Sequence, residues 1–157
     1  MSPVIRVENL THIYSPGTPF EVTSLDGISL EINKGEFFAI VGATGSGKST
    51  LVQHFNGLLA PTCGKVWVCG ADAADKKVRR DLWRRVGLVF QRPEQQFFEE
   101  TIFEDVAFGP KNMGLNKGEV RERVSKALRL VDLDPEQAGK QSPFQLSGGS
   151  RESPLCS

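Results

Sequence analysis

Gly42-Ala43-Thr44-Gly45-Ser46-Gly47-Lys48-Ser49 is the stretch that decides the fold, and the apolar run of residues 37–41 (FFAIV) directly precedes it. It fits the template G-x-x-x-x-G-K-S/T of a phosphate-binding loop placed between a strand and a helix. Converging backbone N–H groups and the positive end of the helix hold phosphates well, and glycines allow the close backbone approach this requires. The motif therefore predicts a site for a nucleoside triphosphate.

Lys48 and Ser49 at the end of this stretch, and Thr50 directly after it, have separate predicted roles. Lys48 would reach the β- and γ-phosphates as a mobile point charge, and the Ser49 hydroxyl would bind Mg²⁺. Thr50 would reach the α-phosphate. The alternative interpretation is a glycine-rich turn that binds no ligand.

Length and composition favour one ordinary domain, or part of a larger one. The chain has 157 residues, and its 19 Lys and Arg balance its 19 Asp and Glu. A neutral chain gives no general reason to expect nucleic acid as a partner, because such binding depends largely on positive charge. No apolar run approaches the roughly eighteen residues that span a bilayer, and no signal-peptide pattern opens the chain. We expect a cytoplasmic location.

Hydrophobic periodicity and turn residues predict an α/β pattern. Strands are predicted at residues 4–14, 25–32, 37–41, 65–69 and 86–90, and helices after the glycine loop, at 75–85, from 101 to about 110, and at 117–131. The spacing of Thr101 and Glu104 is that of a capping box and sets the start of the third helix.

A second group of residues narrows the class. Leu146-Ser147-Gly148-Gly149 resembles the start of the signature of ATP-binding-cassette (ABC) ATPases, and Gln91, between it and the glycine loop, resembles their Q-loop glutamine. In that family the signature contacts the γ-phosphate held by the opposing subunit, and the glutamine contacts Mg²⁺ or the attacking water. The resemblance implies ATP and Mg²⁺ as ligands and a second ABC ATPase subunit, identical or different, as partner. The alternative for Leu146-Ser147-Gly148-Gly149 is a plain loop, and the alternative for Gln91 is a polar residue at the end of a strand.

Four further segments resemble the energy-coupling-factor (ECF) group of vitamin and metal importers, namely residues 14–21, 53–59, 89–97 and 103–111, within a resemblance that covers about residues 3–149. In that group two ATPases pair beneath a membrane scaffold protein that holds a substrate-binding membrane subunit. The resemblance therefore implies a peripheral position on the inner face of the cell membrane. Tyr14 stands where the family has an aromatic residue that stacks on adenine, and Phe20 is a second candidate. The alternative for Tyr14 is an aromatic residue on a half-buried strand.

The resemblance also implies the fold, an α/β P-loop NTPase of the ABC type. We expect an antiparallel N-terminal β-subdomain, a RecA-like core whose C-terminal part is missing, and a helical subdomain over about residues 92–149, all within a partial domain of residues 1–149. In residues 92–101, the aromatic pair Phe97 and Phe98 rimmed by polar groups suggests a docking surface for the scaffold. The alternative is that one ring lies in the core and the other covers a helix end.

The residues after the signature depart from the family. Its members continue to an Asp for Mg²⁺, a Glu that activates water and a switch His, none of which is found here, so no catalytic set is complete. Residues 150–157 form an aberrant tail, in which Pro154 would obstruct a helix; a frameshift or a sequencing error is our hypothesis. We expect ATP binding with hardly any hydrolysis. The alternative functions are a soluble ABC ATPase acting on DNA or the ribosome, and a non-catalytic fragment that occupies a partner's surface.

Overall fold

The computed structural model describes residues 3–92 and 96–146. The chain divides into two compact units, the first ending at Val89 and the second beginning at Phe90.

The first unit contains a four-stranded antiparallel sheet with the order β2-β1-β3-β4. Its strands are β1 (Ile5–Tyr14), β2 (Val22–Ile32), β3 (Cys63–Val68) and β4 (Ala71–Asp72). Two helices, α1 (Lys48–Phe55) and α2 (Lys76–Asp81), and a 3₁₀ turn (Leu82–Arg84) complete the unit. The strands predicted at 4–14, 25–32 and 65–69 are confirmed, and so is the helical segment at 75–85.

One face of this sheet packs against α1 to form the core of the unit. Leu10 in β1 and Val66 and Val68 in β3 are fully buried, and Leu51 and Phe55 of α1 belong to the same cluster. Apolar residues two apart, such as Val66 and Val68, produce this face, because successive side chains of a strand point to opposite sides. The core thus ties β1 to the helix that follows the glycine loop.

The second unit is helical. Its elements are α3 (Ile102–Asn112), α4 (Lys117–Leu130), α5 (Pro135–Ala138) and α6 (Pro143–Leu146). Thr101 caps α3 by accepting a hydrogen bond from the backbone N–H of Glu104, as its spacing predicted. The helix continues to Asn112, two residues beyond the predicted end near Gly109-Pro110, because Pro110 lies inside it and removes only one of its hydrogen bonds.

Two predicted strands, at residues 37–41 and 86–90, are wrong. Neither run is a strand in the structure, and Phe37, Val41 and Val89 are 96%, 93% and 80% exposed. A buried parallel strand needs hydrogen-bonded neighbours and covered faces. Every strand pair in the described residues is antiparallel and belongs to the sheet above, so neither run finds a partner there.

Candidate functional site

The glycine loop reaches α1 through two residues in the left-handed region of the backbone. Gly45 and Gly47 both have φ of 83°, and Gly47 is the N-cap of α1. At Gly47 a β-carbon would lie 2.5 Å from the carbonyl oxygen of Ser24 and 2.8 Å from Cδ2 of Leu25. Glycine is therefore required there both by the dihedral angle and by the close approach of β2.

The side chain of Lys48 folds back over the loop. Its Nζ donates to the carbonyl oxygens of Gly42 and Ala43, at 2.8 and 2.7 Å, and lies 3.4 Å from Oγ of Ser46. The three ammonium hydrogens can rotate about a flexible stem, so these bonds are exchangeable for stronger ones to phosphate oxygens. The arrangement places a single positive charge at the mouth of the loop.

The start of α1 is a set of hydrogen-bond donors suited to an anion. Residues 42–46 and Ser49 are exposed or half-buried, and no side chain caps the helix. The first N–H groups of a helix have no acceptor within it, and they carry the positive end of its dipole. Within the described loop and helix, the first turn has no acidic side chain that would repel an anion. Donor chemistry, charge and shape therefore all fit a polyphosphate.

Tyr14 lies next to the first turn of α1. Its hydroxyl is 3.2 Å from Oγ1 of Thr50, and the same oxygen is 2.9 Å from Oγ of Ser24. Thr50 is buried, whereas Tyr14 remains 40% exposed. The structure thus brings Tyr14, Thr50 and the loop together, although the Thr50 hydroxyl is held by Tyr14 and Ser24.

Sequence reasoning missed a pair of histidines behind this site. The rings of His12 and His54 meet edge to face with centroids 4.8 Å apart, and the His12 ring meets Tyr14 in the same way at 4.6 Å. His54 is fully buried, and its Nδ1 lies 2.7 Å from the carbonyl oxygen of Thr50. The only sequence signal is that residues 12 and 14 share one face of a strand.

The environment of His54 favours its neutral form. Burial lowers the pKa of His54 below its ordinary value, and the nearby His12 lowers it further. The hydrogen bond to the carbonyl oxygen of Thr50, and the nearby carbonyl group of Ala60, oppose this shift without cancelling it. His54 therefore acts as an uncharged ring at neutral pH.

The remaining predicted site residues belong to the second unit. Gln91 is exposed and follows no strand, and Leu146 is the last residue of α6. Ser147, Gly148 and Gly149 lie outside the described residues. Over residues 3–92 and 96–146, no cluster of three or more His, Cys, Asp or Glu side chains is arranged to hold a metal ion. Over the same ranges, no helix has the length and apolar character needed to cross a membrane.

A family model described as ABC transporter matches residues 25–153. The chain belongs to the ABC transporter family. Its ATPases bind ATP, generally with Mg²⁺. The glycine loop of this chain lies inside the matched range.

Solved structures agree with this family. The chain has a TM-score of 0.73 and 36% identity to cbiO1 of Clostridium perfringens, described as part of the ABC transporter complex cbiONQ, over 90% of this chain and 55% of that one. It has a TM-score of 0.74 and 30% identity to the ATP-binding cassette MJ0796, a dimer bound to ADP and Pi, over 92% of this chain and 64% of that one. The α/β fold of the ABC-type P-loop NTPases is confirmed.

Curated relatives carry a more specific name. Energy-coupling factor transporter ATP-binding protein EcfA2 of Symbiobacterium thermophilum is 59% identical over 146 residues, which cover 92% of this chain and 50% of the relative. The protein of the same name from Clostridium perfringens is 53% identical over 148 residues, 94% of this chain and 52% of the relative. The chain thus spans about half the length of the curated relatives that it matches.

Proposed function

We propose that the chain is the nucleotide-binding part of the ATPase subunit of an ECF-type ABC transporter, which couples ATP binding and hydrolysis to the uptake of vitamins or metal ions. The observation that carries this proposal is the loop of residues 42–47, with its left-handed glycines, its folded Lys48 and its uncapped helix. The identity of 53% and 59% to ATP-binding proteins of such transporters supports the transporter class.

The chain's own residues divide the work of binding. Backbone N–H groups of residues 43–49 hold the phosphates, and Lys48 exchanges the carbonyl oxygens of Gly42 and Ala43 for β- and γ-phosphate oxygens. Gly47 keeps this loop against β2, so the donors are fixed before the nucleotide arrives. Such preorganisation raises affinity because less freedom is lost on binding.

Two side chains complete the site in this proposal. Mg²⁺ neutralises phosphate charge when it is bound, and Ser49 is the side chain of the first unit that would hold it. Tyr14 supplies an exposed ring for the adenine base at the edge of the first turn of α1. For residues 1–157 alone we expect binding with little hydrolysis, because phosphoryl transfer depends on further water-orienting and metal-binding groups.

The helical unit would form the subunit's contacts with its partners. It carries two edge-to-face aromatic pairs, Phe98 with Phe108 at 4.7 Å and Phe97 with Phe144 at 6.0 Å. Phe98, Phe108 and Phe144 are 60%, 46% and 59% exposed, an unusual density of exposed rings. We assign this surface to the cytoplasmic helices of a membrane scaffold that also holds a substrate-binding subunit. We assign Leu146, Ser147, Gly148 and Gly149 to the γ-phosphate of a second ATPase subunit.

Calorimetric titration of Mg²⁺-ATP into the refolded chain tests the nucleotide site. We expect measurable binding that Lys48→Ala weakens by at least about tenfold, since one charge-assisted contact to phosphate is lost. Lys34→Ala is the matched control, because it removes the same charge from an exposed turn of the same unit and should leave affinity unchanged. Absence of binding by the wild-type chain, or equal losses in the two variants, would overturn the proposed site.

Co-purification tests the transporter class. A scaffold membrane protein expressed with the chain should be retained by it, and Phe98→Asp should weaken that retention. Leu130→Asp is the control, since Leu130 is 77% exposed on α4 of the same unit and outside the aromatic pairs. Retention on DNA or ribosomes in place of the scaffold would favour a soluble ABC ATPase.

A further inference from the structure

Four contacts form a closed circuit between β1 and α1. The Tyr14 hydroxyl meets Oγ1 of Thr50 at 3.2 Å, and the Thr50 carbonyl oxygen meets Nδ1 of His54 at 2.7 Å. The His54 ring contacts the His12 ring at 4.8 Å, and His12 contacts the Tyr14 ring at 4.6 Å, which closes the circuit. Nδ1 of His12 also lies 3.1 Å from the carbonyl oxygen of Ala60, in the turn after α1.

These hydrogen bonds fix the tautomers of both imidazoles. A carbonyl oxygen can only accept a hydrogen bond, so Nδ1 of His12 and Nδ1 of His54 must each carry the donated hydrogen. In the neutral rings Nε2 is then a bare acceptor. Each imidazole is thus held in a single orientation through its own Nδ1.

His54 is costly as a purely structural residue. Its Nε2 is buried and has no hydrogen-bond partner within the described residues, although the side chain is fully enclosed. A leucine or phenylalanine would fill such a space without leaving a polar atom unpaired. The combination of a directional hydrogen bond to Thr50 and a ring contact to His12 is what an apolar side chain would not supply. This indicates a role for the imidazole beyond filling the core.

The circuit restrains the ring of Tyr14, which is its exposed member. The Tyr14 ring is held at its hydroxyl by Thr50 and along its side by His12, while 40% of the residue stays open to solvent. Thr50 directly follows Lys48 and Ser49 in the first turn of α1. The circuit therefore sets the position of the Tyr14 ring relative to the residues that would hold phosphates.

We infer that His12 and His54 are positioning residues that hold the Tyr14 ring in place for the nucleobase, in register with the phosphate loop. This inference rests on the proposed nucleotide site and deepens it. Neither histidine touches the nucleotide; each acts through Tyr14. Its consequence is that the histidines contribute to the part of the affinity that comes from the base and not to the part that comes from the phosphates.

The test compares Mg²⁺-ATP with Mg²⁺-tripolyphosphate, which has the phosphates but no base or sugar. Calorimetry at pH 7.5 should show that His12→Leu weakens ATP binding by about 3- to 10-fold, the range of one edge-to-face aromatic contact. Tripolyphosphate affinity should stay unchanged. His12→Phe, which keeps an aromatic ring beside Tyr14, should recover part of the loss and also serves if the leucine variant does not fold.

A double-variant cycle gives the sharper readout. Tyr14→Leu should cause the same selective loss for ATP, and adding His12→Leu or His54→Leu to it should cause little further loss, because the histidines act through that ring. Equal weakening of ATP and tripolyphosphate would mean a structural role and overturn the inference. So would unchanged ATP affinity in His12→Leu, or equal affinity of the wild-type chain for the two ligands. Failure of the wild-type chain to bind either ligand would instead refute the nucleotide site itself.

Discussion

The two units are stabilised by contacts of different range along the chain. In the first unit Ile5 pairs with Ile32 on one side and with Val68 on the other, so β1 depends on residues far away in sequence. In the second unit Asn116 and Glu119, three residues apart, close a reciprocal capping box at the start of α4. Helix boundaries therefore depend on residues close in sequence, whereas strand pairing depends on residues far apart.

The apolar run of residues 37–41 shows the consequence. Its composition is that of a buried strand, yet Phe37 is 96% exposed and the run pairs with no other strand in the described residues. Leu10, in β1, has similar hydrophobicity and is fully buried because β2 and β3 flank it. Position within a paired sheet, and not hydrophobicity alone, decides which of the two contributes to stability.

The largest expected effect separates these two sites. Leu10→Ala should lower the free energy of unfolding by about 3 kcal/mol, because it leaves a cavity in the core of the first unit. Phe37→Ala should change it by less than about 0.5 kcal/mol, since an exposed side chain loses few contacts. Urea unfolding followed by circular dichroism measures both. A cost at Phe37 comparable to that at Leu10 would mean that Phe37 is packed after all.

The next effect measures how firmly the sheet holds the glycine loop. Gly47→Ala should cost about 2 kcal/mol, because the left-handed backbone is strained and the new methyl meets β2 at Ser24 and Leu25. Gly45 has the same φ of 83°, but a methyl group there would meet no atom within 4 Å, so Gly45→Ala should cost only about 1 kcal/mol. Thermal unfolding of the two variants gives the difference. Equal costs would show that β2 does not constrain the loop.

Much of this fold could be predicted from the sequence, and the failures have a common cause. The glycine loop and the cap at Thr101 can be predicted because each depends on neighbouring residues, and the prediction of the strand at 4–14 holds because β2 and β3 are present to pair with it. The strands at 37–41 and 86–90 were predicted wrongly because a strand forms only where partners are available. The sequence of residues 37–41 or 86–90 does not itself show whether partner strands are available.

The histidine pair shows the same limit within the candidate site. His12 and His54 are 42 residues apart along the chain, and only the packing of α1 on β1 brings their rings to 4.8 Å. Their hydrogen bonds to the carbonyl oxygens of Ala60 and Thr50 carry no side-chain pattern that a sequence motif would reveal. Sequence reasoning could therefore identify the loop, but not the residues that support it from behind.

The pH dependence of the free energy of unfolding tests the histidine pair, and we expect it to be a smaller effect. Because burial lowers the pKa of His54 in the folded chain, the unfolded chain binds more protons as the pH falls below about 6.5. Stability should therefore decrease with falling pH, by at most about 1.4 kcal/mol per pH unit from this group, until the folded pKa is reached. Denaturant unfolding between about pH 5 and pH 7.5 measures the slope.

The control for this slope is a variant without the titrating group. His54→Phe keeps a ring in the buried space and should flatten the pH dependence by the share that His54 contributes. An unchanged slope in His54→Phe would show that acid destabilisation of the first unit arises elsewhere.

We expect the smallest effect in the second, helical unit. Asn116→Ala removes the side chain that accepts from the backbone N–H of Glu119 and opens the capping box of α4, so the second unit should lose about 1 kcal/mol. Asn116→Asp keeps an acceptor at the same place and should restore the stability, which distinguishes loss of the cap from loss of helix propensity. Hydrogen exchange of the α4 amides measures this unit separately from the sheet. Faster exchange in β1 and β3 of the alanine variant as well would show that the two units unfold together. Local stabilisation of the second unit would then not give it an unfolding free energy of its own.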